Sequence, residues 1–119
     1  SNYPNGKPAI KYNMIKGSID GTLTIFGEDG KTNYEAQYKN GQLHGVRTEY
    51  YANGKAYKKE RFQDNNYEGI QEYFAEDGKP LVSVELKNDE YHGNTLIYTG
   101  GKLSVTKKYN SDELVEIVK

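Results

Sequence analysis

The chain of 119 residues has no cysteine and no tryptophan, one methionine and three prolines. Without cysteine there is no disulfide, no zinc–thiolate site and no thiol nucleophile, and the redox state of the compartment stays open. Long hydrophobic runs are missing too, which excludes a membrane-spanning helix. Leu, Ile, Val and Phe supply about a fifth of the residues, and the hydrophobic fraction is 34%, too lean for a large globular core. Such leanness signals disorder only beside a high net charge. Here 16 Lys and Arg meet 17 Asp and Glu for a net charge of −1. The sequence pI of ≈ 6.1 gives no basic field for nucleic acid. No signal peptide is visible, yet the chain opens on Ser1-Asn2 rather than Met, as expected of a trimmed polypeptide, so an upstream leader is left open.

Tyrosine and glycine fill the gap, with 12 and 13 residues, and the glycines lie on a lattice. Gly6, Gly30, Gly54 and Gly78 are spaced by 24, with Gly101 one residue short of the next step. Gly21, Gly45, Gly69 and Gly93 repeat the spacing, as do Gly17 and Gly41. The sequences Asn5-Gly6-Lys7, Asp29-Gly30-Lys31, Asn53-Gly54-Lys55, Asp77-Gly78-Lys79 and Gly100-Gly101-Lys102 read as one turn written five times. An aromatic column, Phe26, Tyr50, Phe74 and Tyr98, precedes it. A fixed period of this length means a repeat architecture.

Each unit carries a second turn, at Lys16-Gly17, Asn40-Gly41, Asp64-Asn65, Asn88-Asp89 and Ser111-Asp112. All five pairs are turn formers at one lattice position. Between turns lie runs of about 6–8 residues with period-two alternation, the strand signature. The expectation is all-β: an elongated antiparallel meander of repeated hairpins, about ten strands in a single twisted or curled sheet, roughly 48 Å wide and ~20–25 Å tall. One domain spans 1–119, with units at about 1–20 (partial), 21–44, 45–68, 69–92 and 93–119. Straight alternation gives an apolar face with Phe26, Tyr34, Tyr38, Val46, Tyr50, Phe62, Ile70, Phe74, Val82, Val84, Leu86, Leu96, Tyr98, Val105 and Tyr109. It gives a wet face with Arg47, Glu49, Lys59, Arg61, Gln71, Glu85 and Lys108, among them Tyr51, Tyr57 and Tyr73.

The pattern of aromatic, Asn/Asp-Gly-Lys, apolar strand, polar turn and apolar-x-Gly resembles the bacterial variant of the MORN repeat. It is carried by Tyr50-Tyr51-Ala52-Asn53-Gly54-Lys55 and by Leu43-His44-Gly45 and Tyr91-His92-Gly93, and covers nearly the whole chain. The resemblance implies a hairpin-built sheet used as a scaffold or interaction surface. Bacterial members are often assigned as antitoxins of toxin–antitoxin systems, and others look like surface or envelope proteins, a location slightly favoured over the cytoplasm. Related eukaryotic repeats are linked to membrane lipids and dimeric scaffolds. The missing Trp and different glycine spacing argue against lipid here.

Catalytic chemistry finds little support. His44 and His92, the only histidines, sit two repeats apart, about 19 Å along such a sheet, too far to share a metal ion. The acidic pairs match turn positions and not a calcium loop. No serine lies in a nucleophile elbow. A non-enzyme without cofactor or metal is therefore expected. Tyr51, Tyr57 and Tyr73 are the candidate binding residues, since Tyr gives contact area at low entropy cost. Gly30, Gly54, Gly78, Gly101, Gly45, Gly69, Gly93 and the column Phe26, Tyr50, Phe74 and Tyr98 are assigned to the repeat framework. The expected function is protein–protein interaction with a protein partner, including a homodimer. An antitoxin, and a glycan or anionic-surface binder that would use the turn lysines Lys7, Lys31, Lys55, Lys79 and Lys102, are the alternatives. The apolar stretch Glu113–Val118 is expected to form an open edge.

Overall fold

The computed structural model describes residues 2–119, and none of these is helical. Thirteen strands follow in chain order: β1 (Ile10–Lys11), β2 (Met14–Ile15), β3 (Ser18–Ile19), β4 (Gly21–Phe26), β5 (Thr32–Lys39), β6 (Gln42–Tyr50), β7 (Ala56–Gln63), β8 (Asn66–Tyr67), β9 (Gly69–Phe74), β10 (Pro80–Lys87), β11 (Glu90–Thr99), β12 (Lys102–Asn110) and β13 (Glu113–Val118). One antiparallel sheet runs β1-β4-β5-β6-β7-β9-β10-β11-β12-β13, with β8 on β7 and a separate β2–β3 ladder. The pieces β1/β2, β3/β4 and β8/β9 are each one strand interrupted near a turn, so the ten-strand meander read from the repeats is what forms.

Two kinds of turn close the hairpins. The tight ones have positive φ at both central residues: 49° and 71° at Asp64-Asn65, 48° and 68° at Asn88-Asp89, 47° and 68° at Ser111-Asp112. That is the type I′ signature, whose twist matches the strands it joins. Each is tied back to the preceding hairpin. Asn65 N donates to Leu43 O at 2.9 Å and Asp89 N to Tyr67 O at 3.1 Å. In return Leu43 N donates to Asn65 Oδ1 at 2.7 Å and Tyr67 N to Asp89 Oδ1 at 2.6 Å.

The second turn is the Asn/Asp-Gly-Lys loop. Lys31 N and Lys55 N donate to the Asp29 and Asn53 side chains, each at 2.9 Å. Adjacent loops stack in pairs. Tyr3 Oη donates to Phe26 O and Tyr51 Oη to Phe74 O, at 2.5 and 2.7 Å. Asn5 and Asn53 donate to Glu28 O and Glu76 O. Positions 27 and 75 carry Gly and Ala, which cannot donate in this way, so along this edge the 24-residue repeat alternates as a double unit.

The register corrects the assignment of faces. A two-residue turn pairs residue i with i+3, an odd position with an even one. Straight alternation puts Phe26 on one face with Tyr34 and Tyr38, and Arg47 on the other. The structure instead pairs Leu23 with Ala36 and Ile25 with Tyr34. Arg47 pairs with Ala36, Glu49 with Tyr34 and Tyr73 with Val82. Directly paired residues share a face, so Arg47, Glu49, Gln71 and Tyr73 lie with Tyr34, Val82 and Val84, not opposite them. Val46 pairs with Arg61, Ile70 with Glu85 and Leu96 with Ser83, on the side that carries Thr48. Neither face is uniformly apolar. We call them the Arg47 face and the Thr48 face.

The molecule measures 52 × 35 × 13 Å. The long dimension matches ten strands at about 4.8 Å spacing. The second exceeds the expected height because strands reach 8–10 residues. The third is one sheet with its side chains. Among the described residues only Ala36 and Phe62 are buried and apolar, against buried Thr48, Glu60, Gln71 and Thr95. Phe26, Tyr50, Phe74 and Tyr98 are half-buried. The accessible surface is 7551 Å², whereas a compact monomer of this mass exposes about 6,500 Å².

Candidate interaction surface

The most organised part of the Arg47 face is its centre, on β6, β7 and β9. Glu60, mid-strand in β7, is 3% exposed. Its Oε1 accepts from Arg47 Nη2 at 2.9 Å and lies 3.7 Å from Lys58 Nζ. Its Oε2 accepts from Tyr73 Oη at 3.0 Å and Tyr67 Oη at 3.3 Å. Lys58 also reaches Glu49 at 3.4 Å, so two cations meet two anions. The Arg47 guanidinium lies 4.6 Å from the Phe62 ring centroid, and Phe62 packs on Tyr67 at 4.5 Å. A buried carboxylate survives because every neighbour donates to it or carries positive charge.

These contacts set the titration of the cluster. Burial alone would raise Glu60, but the Arg47 and Tyr73 hydrogen bonds and the Lys58 charge outweigh it and hold the carboxyl below its usual value. Burial, then the Glu60 charge and hydrogen bond, push the Tyr73 phenol above its ordinary range. Tyr34 is raised to about 12, first by burial and then by Tyr38.

Side chains also repair the ladder where it bulges. Gly45, Gly69 and Gly93 have φ of 116°, 99° and 89°, at places where the pairing slips. Gln37 Oε1 accepts from Val46 N at 3.0 Å and Glu85 Oε1 from Asn94 N at 3.2 Å. In the middle unit Arg61 occupies that position and has no acceptor. There the fully buried Gln71 takes over, its Oε1 accepting from Arg61 N and its Nε2 donating to Arg61 O and Gly69 O.

Two of the three candidate tyrosines, Tyr51 and Tyr57, are brought together, and Tyr73 stands apart from them. Tyr73 belongs to the Glu60 cluster. Tyr51 is half-buried, its hydroxyl engaged by Phe74 O and its ring 5.2 Å from Tyr57. Tyr57, 41% exposed, offers the free surface of that pair. The turn lysines lie along the edge: Lys55 Nζ donates to Asp77 O at 3.0 Å, and the stems of Lys7, Lys55 and Lys79 pass over Gly30, Gly78 and Gly101. His44 Nδ1 sits 3.6 Å from Asp64 Oδ1, and His92 lines a separate shallow depression with Glu90 and Ser111. The edge strand β13 exposes Leu114, Val115, Ile117 and Val118. The Arg47–Glu60 network escaped the sequence reading. Its signal was the scarcity of arginine, with only Arg47 and Arg61 among 16 basic residues.

The family pattern of the MORN repeat variant matches residues 19–40, 43–64 and 67–88, more than half of the chain. The chain belongs to the MORN repeat variant family. No curated protein matches it. MORN repeats are generally non-catalytic modules that contact proteins or membranes. Each matched MORN segment here begins in the strand just after one tight turn and ends on the first residue of the next, and the Glu60 cluster draws its residues from the second and third matches.

Proposed function

We propose that this chain is a protein-interaction module whose docking surface is the Arg47 face, acting by binding and not by catalysis. The observation that supports this reading most is the makeup of that face. Aromatic rings, an arginine and aliphatic side chains stand half-exposed around a pinned charge cluster. Tyr and Arg are the residue types enriched where proteins bind. Cross-linking within the network holds these side chains in place before a partner arrives, which lowers the entropy cost of docking. The Thr48 face is the less suitable surface, because its apolar residues Val46, Ile70 and Leu96 stand singly among Glu35, Lys59, Arg61, Glu72 and Glu85.

The test compares baits in affinity capture from the source cell. Wild type, Val84→Lys on the Arg47 face and Ser83→Lys on the Thr48 face are first matched for thermal unfolding. Loss of bound protein with Val84→Lys alone supports the reading. Equal capture by all three, or loss with Ser83→Lys alone, overturns it.

A further inference from the structure

We infer that the partner of the Arg47 face is a second copy of this chain, docked face to face about a two-fold axis that runs parallel to the strands between β6 and β7. The inference rests on the reading of that face as a docking surface. It is carried by the order of side chains across the sheet. Following the register from strand to strand gives one row: Ile10, Ile25, Tyr34, Glu49, Lys58, Tyr73, Val82, Ile97, Val105. Read outward from the gap between β6 and β7, the row runs charge, tyrosine, aliphatic, aliphatic on both sides, with Val105 beyond the eight matched positions, and the two central charges have opposite sign.

A two-fold axis in the plane between two opposed faces, parallel to the strands, reverses such a row. Ile25 then meets Val82 of the second copy, Tyr34 meets Tyr73, and Glu49 meets Lys58. Like pairs with like where the residues are apolar, and opposite with opposite where they are charged, as an isologous interface requires. The adjacent row on the same face, Leu23, Ala36, Arg47, Glu60, Gln71 and Val84, sets Leu23 against Val84, Ala36 against Gln71 and Arg47 against Glu60 across the same axis.

Size and charge agree. Eight strands at about 4.8 Å span ~34 Å, and a shared strand length of ~20–25 Å gives roughly 700–850 Å² per copy. A standard stable interface needs about 800 Å² per partner. A net charge of −1 sets up little repulsion between copies. The sheet, with an apolar core of Ala36 and Phe62, gains a second layer and becomes a sandwich, the usual way to cover a sheet face.

The test uses the natural absence of cysteine. Sedimentation equilibrium of the wild type at about 100 µM reads the mass. Ile25→Cys, Val82→Cys and the double variant are then mildly oxidised. Within one chain β4 and β10 are five strand steps apart, about 24 Å, beyond disulfide reach. The expected result is a dimeric wild type and a covalent dimer from the double variant, with neither single variant linking to itself. Mixing the two single variants should give a linked heterodimer, and this arm stands even where the double variant folds poorly. A monomeric wild type overturns the second copy, while the capture experiment still decides the docking reading. A dimer in which positions 25 and 82 fail to link, in both the double variant and the mixture, also overturns the proposal.

Discussion

Arg47 and Glu60 face each other across β6 and β7 with Nη2 and Oε1 2.9 Å apart, and Glu60 is the one carboxylate among the described residues that is almost fully covered. The pair stands where a thicker protein would have aliphatic packing. Removing one partner of a covered ion pair strands the other charge and costs about 3–5 kcal/mol when both are deep. Arg47 keeps 22% of its side chain in solvent, so Glu60→Ala is expected to cost about 2–4 kcal/mol. Glu60→Gln keeps part of the hydrogen bonding and should cost less. Urea denaturation of the three proteins reads both differences.

The same cluster predicts a pH profile. The folded-state value of Glu60 is lowered, while an unfolded Glu titrates near 4.3. The unfolded chain therefore binds the proton more readily, and stability rises with pH through this window. The contribution is fully present above about pH 4.3 and is lost as pH falls through the folded value. Glu60→Gln should remove this part of the acid sensitivity. At the alkaline end the sign reverses. Tyr34 is raised to about 12 against about 10 when unfolded, so its contribution holds below pH ~10 and fades as pH climbs toward 12. Urea midpoints across pH 3–7, with an ultraviolet titration of the phenols above pH 9, check the two arms.

The strands, their number and both kinds of turn were legible because they depend on local chemistry. Asp64-Asn65 and Asn88-Asp89 can sit at positive φ, and alternation marks what lies between. The faces were not legible by straight counting, because which residues pair depends on turn length plus one bulge per loop. Between Ile25 and Phe26 the pairing slips by one, and a slip of one exchanges the two faces. Val46 and Arg47 show the consequence, each on the side expected for the other. The Glu60 network was hidden for the same reason: its members come from four strand segments whose alignment only the register supplies. Tyr51 was visible as an aromatic off the main column, but not as the donor to Phe74 O.

That hydroxyl gives a modest prediction. Tyr51→Phe keeps the ring beside Tyr57 and removes only the bond to Phe74 O at 2.7 Å. A single hydrogen bond of this kind contributes about 0.5–1.5 kcal/mol. Because the bond joins two stacked loops, the loss should appear in hydrogen exchange as faster opening near Phe74, with the β6–β7 amides unchanged.

Gly93 and Gly54 have nearly equal φ, 89° and 88°, and differ in what surrounds them. A Cβ at position 93 would fall on the Glu85 carboxylate that accepts from Asn94 N, whereas position 54 opens on empty space. Gly54→Ala should cost about 1–2 kcal/mol for the backbone conformation alone. Gly93→Ala should cost more, because Glu85 must move and Asn94 N loses its acceptor. Adding Glu85→Ala to Gly93→Ala should then cost less than the two changes made separately. Non-additivity in a double-mutant cycle measures this; strictly additive values would mean Glu85 does not hold the bulge.

The tight turn at Ser111-Asp112 offers a stabilising change. Its first central residue has φ 47°, and the equivalent places at positions 40 and 88 carry asparagine at 52° and 48°. Asn tolerates the left-handed region better than Ser and is the favoured first residue of a type I′ turn. Ser111→Asn leaves Asp112 in place, with its N donating to Tyr91 O at 2.7 Å and its Oδ1 accepting from Tyr91 N at 2.6 Å. The expected gain is about 0.5–1 kcal/mol, or a rise in Tm of roughly 2–5 °C for a chain of this length. Asp112→Ala is the opposing control. It removes the acceptor for Tyr91 N and should lower stability by about 1 kcal/mol, loosening β13 from β12 first. An unchanged melting temperature for Ser111→Asn would mean that the turn closes without limiting the stability of the last hairpin.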